Sequence, residues 1–419
     1  MSQSGRKVAS PEWVVRFYRY WWGEAASSLG NQIGNVAIPL LAVYQLRATS
    51  IQMGLLRGAE TLAPLLFGWF IGAIVDRRDS KSLMIFSDGA RMCLLGVVAS
   101  LAILHDLTLD ALCIFLFALT ALNLLFDNGA VVALPRVIPE EKLAWANGRI
   151  QMGVAVGDFA GPGVAGVLIQ LLSAPIAIIA EALTFGLSII GVSRLRIPEV
   201  LDDRRDKKGV IHESINGIKY VLRDSTLRPL GIATLLSTFC TDAAFAIIPL
   251  FFVRTLHISP IGFGIAFAIP GAVAVLVAPR SGLLLNKFGI RRLLVGCYLV
   301  SATCGTLLAL CPRGIGWLPL LCVALGGWSA SVVVNLVVSA TYIMQWAPRD
   351  TLGTVNGAMR FLALAAAPIG SVVGGIVAQH LGMRNTLLIF GVAAFAAASP
   401  LLTLNSRNAF RQKGAVDRV

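Results

Sequence analysis

The chain has 419 residues, of which 56% are hydrophobic and 14% charged, with a net charge of +13. Soluble domains carry about 25% charged residues, and twelve membrane helices of about 20 apolar residues each would use about 240 positions, close to the apolar content here. This balance excludes a soluble globular enzyme, a disordered chain and a nucleic-acid binder, and it turns the basic excess into a question of membrane topology.

Apolar runs between charge clusters predict helical spans at 21–46, 52–75, 83–104, 109–134, 150–172 and 175–195. After a polar stretch, six more follow at 229–253, 260–285, 293–312, 316–345, 355–380 and 386–404. The runs are continuous rather than alternating, so they read as helices and not as barrel strands. The expected fold is therefore an all-α integral membrane protein of 12 transmembrane helices, with residues 1–195 as a first six-helix bundle, 196–228 as a linker and 229–419 as a second bundle. No signal peptide is expected before the first span.

Most of the 35 basic residues fall on one side of this scheme. Arg6, Lys7, Arg16 and Arg19 precede the first span, Arg77, Arg78 and Lys81 follow the second, and Arg204, Arg205, Lys207 and Lys208 lie in the linker. The positive-inside rule makes that side, with both termini, cytoplasmic. Within the linker, Ile211, Ile215, Ile218 and Leu222 recur at helical spacing and predict an amphipathic helix along the cytoplasmic face. The seven cysteines lie mostly within apolar runs without a C-x-x-C pair and read as small hydrophobes.

The halves repeat. Gly72-Ala-Ile-Val-Asp76-Arg77-Arg78 has a counterpart in Gly282-Leu-Leu-Leu-Asn286-Lys287, and Pro139 to Gly148 has one in Pro348 to Gly357. Both offsets are about half the chain, as in transporters built from parallel repeats.

On these residues the chain resembles the major facilitator superfamily. Gly72, Asp76, Arg77, Arg78 and Lys81 match its loop signature between the second and third helices, with Asp79 in place of the usual glycine. Gly153, Gly157, Gly161, Pro162 and Gly166 resemble its antiporter motif in the fifth helix, weakly echoed by Pro368, Gly370, Gly374 and Gly375. Phe17 to Trp22, Gly30-Asn31, Asp88 with Arg91, and Gly326-Gly-Trp328-Ser329 are similar to the bacterial branch that includes enterobactin and macrolide efflux proteins. The resemblance implies a central cavity lined by the first, fourth, seventh and tenth helices, with Asp76 and its arginines as a gate latch.

Polar stripes occur on those four helices. Glu24, Ser28, Asn31 and Asn35 share one face; so do Thr120, Asn123 and Asp127. Thr234, Thr238, Thr241 and Asp242 mark the seventh helix, and Ser331, Asn335, Ser339 and Tyr342 the tenth. Each stripe alone also suits hydrogen bonding between membrane helices. Ionisable residues inside spans are costly and mark function by default. Asp242 heads the candidates for proton coupling, followed by Asp127, Glu24 and Asp158. Asp88 and Arg91 are spaced for an ion pair, read first as structural and also grouped with the gating residues; Arg57 and Glu60 repeat that spacing, and Glu181 in the sixth helix is a further candidate partner for such groups. Gly153, Gly157 and Gly161 offer a flat strip for close helix approach.

The expected function is proton-coupled export of an amphipathic small molecule, a drug or siderophore, across the bacterial cytoplasmic membrane. Proton-coupled uptake, a lipid flippase and a non-transporting sensor are the alternatives. The expected partners are a small-molecule substrate, protons and the bilayer, without nucleic acid, and the chain is expected to act as a monomer. No cofactor, metal site or enzymatic constellation is expected, and no P-loop sequence is present.

Overall fold

The computed structural model describes residues 12–195, 210–312, 317–348 and 351–404; within these, the side chains of residues 12, 69, 72, 73, 76, 77, 210–216 and 317 are outside the description. Six helices come first: α1 (Glu12–Tyr44), α2 (Ser50–Arg77), α3 (Ser80–Ile103), α4 (Leu109–Val137), α5 (Leu143–Leu171) and α6 (Ala174–Ser193). A short α7 (Val210–Arg223) precedes six more helical rods: α8 (Arg228–Thr255), α9 (Pro260–Phe288), α10 (Ile290–Ala309), α11 (Trp317–Trp346), α12 (Leu352–Leu381) and α13 (Met383–Thr403). Ten rods, α3 to α6 and α8 to α13, are long and apolar enough to cross a membrane. The other two, α1 and α2, are 33 and 28 residues long and carry more charge, including Arg19, Glu24, Arg57 and Glu60.

Several helices outrun their apolar segments. α1 begins at Glu12 and α5 at Leu143, well before the expected 21 and 150. Apolarity marks the lipid-crossing part of a helix, while its backbone hydrogen bonding continues into the polar interface. Starts are set by side-chain caps: Thr49 and Gln52 form a capping box on α2, and Thr108 and Ser259 cap α4 and α9. Asp79, the residue that departs from the family signature, caps α3 by accepting from the Lys81 and Ser82 amides. In α8 regular bonding breaks at Ala246–Ile247 and resumes around Pro249, ending in a π-turn at Phe251–Thr255. A proline there lacks a donor and crowds the carbonyl four residues back.

Helices α1 to α6 pack together as one bundle and α8 to α13 as a second. One end of the molecule holds the start of α1 and helix α7; we call it the linker end and the other the distal end. In the distal half one buried apolar cluster runs through both bundles, including Leu40, Leu41, Phe185, Phe251, Phe252 and Leu321. Toward the linker end it divides: Tyr20, Met84 and Phe126 stay in the first bundle, and Val221, Leu294 and Met359 in the second. Large apolar side chains such as Ile114, Val131, Leu183 and Leu336 are exposed.

Helix α7 packs on α12 rather than lying free along a surface. Gly217 sits so close that a Cβ there would be 2.8 Å from the Thr354 carbonyl oxygen, and Val221 is buried. Of the expected stripe, Ile218 packs inward together with Gly217 and Val221, whereas Leu222 is exposed. The side chains of Ile211 and Ile215 lie outside the described residues.

Candidate substrate pathway and gating contacts

The two bundles meet along two equivalent seams. In one, Gly166 of α5 faces α9: a Cβ on it would stand 2.6 Å from the Pro260 carbonyl oxygen and 3.2 Å from the Gly264 Cα. In the other, Gly375 of α12 faces α2, with the Ser50 carbonyl 2.6 Å and the Gly54 Cα 3.0 Å from such a Cβ. Each seam continues on small residues, Gly271 beside the Asp158 backbone and Gly58 beside Val372. The neighbouring glycines turn inward. Gly153, Gly157 and Gly161 pack on Trp21, Ala25, Ser28, Leu29 and Gln32 of α1, while Gly370 and Gly374 pack on Phe239 and Ala243 of α8. The antiporter-like strip therefore packs mainly within its own bundle, and its last glycine forms the contact between halves. These seams lie in the distal half of the rods.

An ion pair joins the bundles beside the second seam. Arg57 of α2 donates to the Asp242 Oδ1 of α8 from Nη2 at 3.1 Å and from Nε at 3.3 Å, and its Nη1 donates to Glu60 Oε2 at 2.8 Å. Asp242 is buried. It is thus part of the bundle interface rather than a free group in the central cavity, because its face of α8 turns toward α2.

A second polar centre lies inside the first bundle. Arg91 is buried and donates to Asp88 and to the Asn123 side-chain oxygen. Its guanidinium stacks over Phe185 at 4.2 Å and Phe126 at 4.8 Å, so aromatic faces share the stabilisation of this cation. Asp88 and Arg91 form the ion pair that their spacing predicts; their contacts lie within one bundle, buried and without a partner in the other among the described residues. Arg91 also acts electrostatically on Glu24, Asp127 and Glu181. Next to this centre is a cavity of about 200 Å³, lined by Asn31, Asn35, Glu60, Asn123, Asp127 and Glu181 among others. A larger hollow of about 660 Å³ between α5 and α9 is lined by apolar residues such as Phe159, Val164 and Ile265.

The remaining candidates divide. Tyr20 donates to Glu24 at 3.5 Å, and Gln32 of α1 donates to Asp158 of α5 at 2.5 Å. Ser28 is taken up in contact with Gly157. Thr238 and Thr241 are half-buried on α8, and Ser339 donates to Asn335 at 3.2 Å. Tyr342 is not a cavity residue: it is buried and donates to the Thr226 carbonyl at 2.8 Å, tying α11 to the segment before α8. The side chains of Gly72, Asp76 and Arg77 lie outside the described residues, and Arg78 is exposed. Burial pushes the Asp79 carboxyl up, but the hydrogen bonds from Ser82 and Lys81 outweigh it and hold it below its ordinary value. Sequence reasoning found the Arg57–Glu60 spacing but not its reach to Asp242, since nothing in one helix reports what faces it from another.

Comparison with known proteins agrees with this architecture. The sequence profile of the Major Facilitator Superfamily matches residues 20–338 and 230–417. Macrolide efflux protein A of Streptococcus pyogenes is 24% identical over 399 residues, covering 93% of this chain and 96% of its own. Multidrug efflux pump Tap of Mycolicibacterium fortuitum is 26% identical over 373 residues, covering 86% and 88%. Among solved structures, the nucleoside transporter NupG superposes with a TM-score of 0.73 at 11% identity, covering 93% of this chain and 98% of that one. A bacterial homologue of the iron transporter ferroportin, in its inward-facing state, gives 0.71 at 13% identity, covering 94% and 99%. Two six-helix bundles meeting on paired glycine seams, together with a family match across most of the chain, make this a multi-pass membrane transporter of the Major Facilitator Superfamily.

Proposed function

We propose that the chain is a proton-coupled exporter of an amphipathic small molecule, working by alternating access in the bacterial cytoplasmic membrane, with both termini in the cytoplasm. The carrying observation is the asymmetry of the bundle interface. The glycine seams, the Arg57–Asp242 pair and the continuous apolar core occupy the distal half, while the core divides toward the linker end. Such a molecule is sealed at its distal end and open at its linker end. The basic residues near the linker end support a cytoplasmic reading of that side. The efflux names of both relatives favour export over uptake.

Asp242 is the coupling group we favour, because it sits in the contact that opening must break. With the distal end open, Asp242 would take up a proton from outside; as that end closes, Arg57 would reclaim the carboxylate and the proton would leave through the linker end to the cytoplasm, so each cycle carries one proton inward. The test uses inside-out vesicles with an imposed proton gradient and ethidium as probe. Uptake into the vesicles should depend on the gradient and fall at least tenfold in Asp242→Asn. Uptake that persists after an uncoupler collapses the gradient would refute proton coupling, and wild-type rates in Asp242→Asn would remove this residue from the mechanism.

A further inference from the structure

We propose that the cavity inside the first bundle is a subsite for the positively charged head group of the transported molecule; this rests on the exporter reading above and names its substrate class as organic cations. The cavity, about 200 Å³, is smaller than pockets that enclose whole drug-sized ligands. It therefore seats one end of an amphipathic molecule. Its lining brings Glu60, Asp127 and Glu181 together with the amides of Asn31 and Asn35, and Arg91 is the cation among them. Both terminal nitrogens of Arg91 are committed, to Asn123 and Asp88, and its faces are covered by Phe126 and Phe185; its buried Nε makes no hydrogen bond among the described residues and does not reach Glu181.

Glu181 is left over. It is 6% exposed, it lines the cavity, and its Oε2 accepts no hydrogen bond among the described residues. A buried carboxylate oxygen without a donor is a costly arrangement that a ligand donor would relieve. The absence of a side chain at Gly34 makes room for it: a Cβ there would overlap the Glu181 carboxylate. An ammonium group supplies the missing N–H and adds a second positive charge beside Arg91, which faces Glu24, Asp127 and Glu181. Glu60 gives the subsite a connection to the gate, because the same carboxylate holds Arg57, which reaches Asp242 of the second bundle. A cation in the cavity competes with Arg57 for Glu60, so occupancy is felt at the distal contact.

The test measures binding of ethidium, a cation, and chloramphenicol, an uncharged drug, to the purified full chain in nanodiscs. Glu181→Gln should weaken ethidium binding at least tenfold and leave chloramphenicol within twofold. Asn35→Asp, which adds a carboxylate to the lining without touching Arg91 or Glu181, should tighten ethidium severalfold and guards against misfolding of the first variant. Unchanged ethidium binding in both variants, equal loss of both probes in Glu181→Gln, or no ethidium binding by the wild type would each overturn the subsite. Gradient-driven chloramphenicol export by the wild-type chain, measured in parallel, reports on the exporter reading separately.

Discussion

Gly166→Ala is the smallest change that should shift the balance between the two ends of this transporter. A Cβ at 166 would stand 2.6 Å from the Pro260 carbonyl oxygen, 3.1 Å from the Ile261 Cα and 3.2 Å from the Gly264 Cα. Those are backbone atoms, which cannot rotate away, so α5 and α9 must separate by several tenths of an ångström. Overpacking of this kind costs about 1–3 kcal/mol. Only the state in which the seam is closed pays that cost. The closed-to-open ratio of the distal end should therefore fall by about 5- to 150-fold. Spin labels at Leu172 and Leu310, exposed residues at the distal ends of opposite bundles, read the separation directly. Gly163→Ala, three residues earlier on the same helix with nothing within 4 Å of its added methyl, is the control. If Gly166→Ala gives the same distance distribution as Gly163→Ala, the seam does not set the conformational balance.

Three further outcomes follow from single contacts. Asp242→Asn leaves Arg57 paired with Glu60, whereas Arg57→Met strands two carboxylates, so thermal unfolding in detergent should show a loss of about 3 kcal/mol for Arg57→Met and about 1 for Asp242→Asn; equal losses would contradict the shared-cation geometry. Asp79→Ala should remove the α3 cap at a cost of about 1 kcal/mol and speed amide exchange at Lys81 and Ser82. Because the Asp79 carboxyl is held below its ordinary 3.8, the wild-type advantage is full above that value and is lost as pH falls through the lower, folded-state value; protection that fades already between pH 7 and 5 would exclude this assignment. Gly217→Val should lift α7 off α12, seen as faster proteolysis between Arg223 and Arg228, since even a bare Cβ there would stand 2.8 Å from the Thr354 carbonyl oxygen; unchanged cleavage would mean that α7 docks by other contacts.

The bundle plan was legible because lipid imposes it: continuous apolar runs and a one-sided distribution of arginine and lysine follow from the solvent and not from tertiary detail. The glycines of α5 and α12 were legible as close-approach points, but the direction each one faces was not. Gly161 and Gly166 lie five residues apart on one helix, yet one packs on α1 and the other on α9. Asp242 drew attention as a buried charge, while its partner lies 185 positions earlier in the chain, a pairing that helical spacing cannot reveal. Glu181 had no motif around it. It becomes notable through what is missing, a donor for one oxygen, and that is a property of the packed bundle.

The linker end carries two opposite charges that would make a counterpart to the Arg57–Asp242 pair. Asp127 on α4 and Arg360 on α12 are both exposed, belong to opposite bundles and act electrostatically on one another without forming an ion pair. If the bundles rock as rigid bodies, parting the distal seams brings the linker halves together and closes this gap. One inter-bundle ion pair then forms as the other breaks, so the count of bridged charges is kept and the cost of crossing between states stays low. The consequence is measurable. Cysteines placed at Asp127 and Arg360 should cross-link slowly in the state described here and faster once the distal end opens. Gly166→Ala, which touches neither position, should raise that cross-linking in proportion to its effect on the distal distance. Cross-linking that ignores Gly166→Ala while the distal labels move apart would mean that the ends open independently, and that the bundles bend instead of rocking.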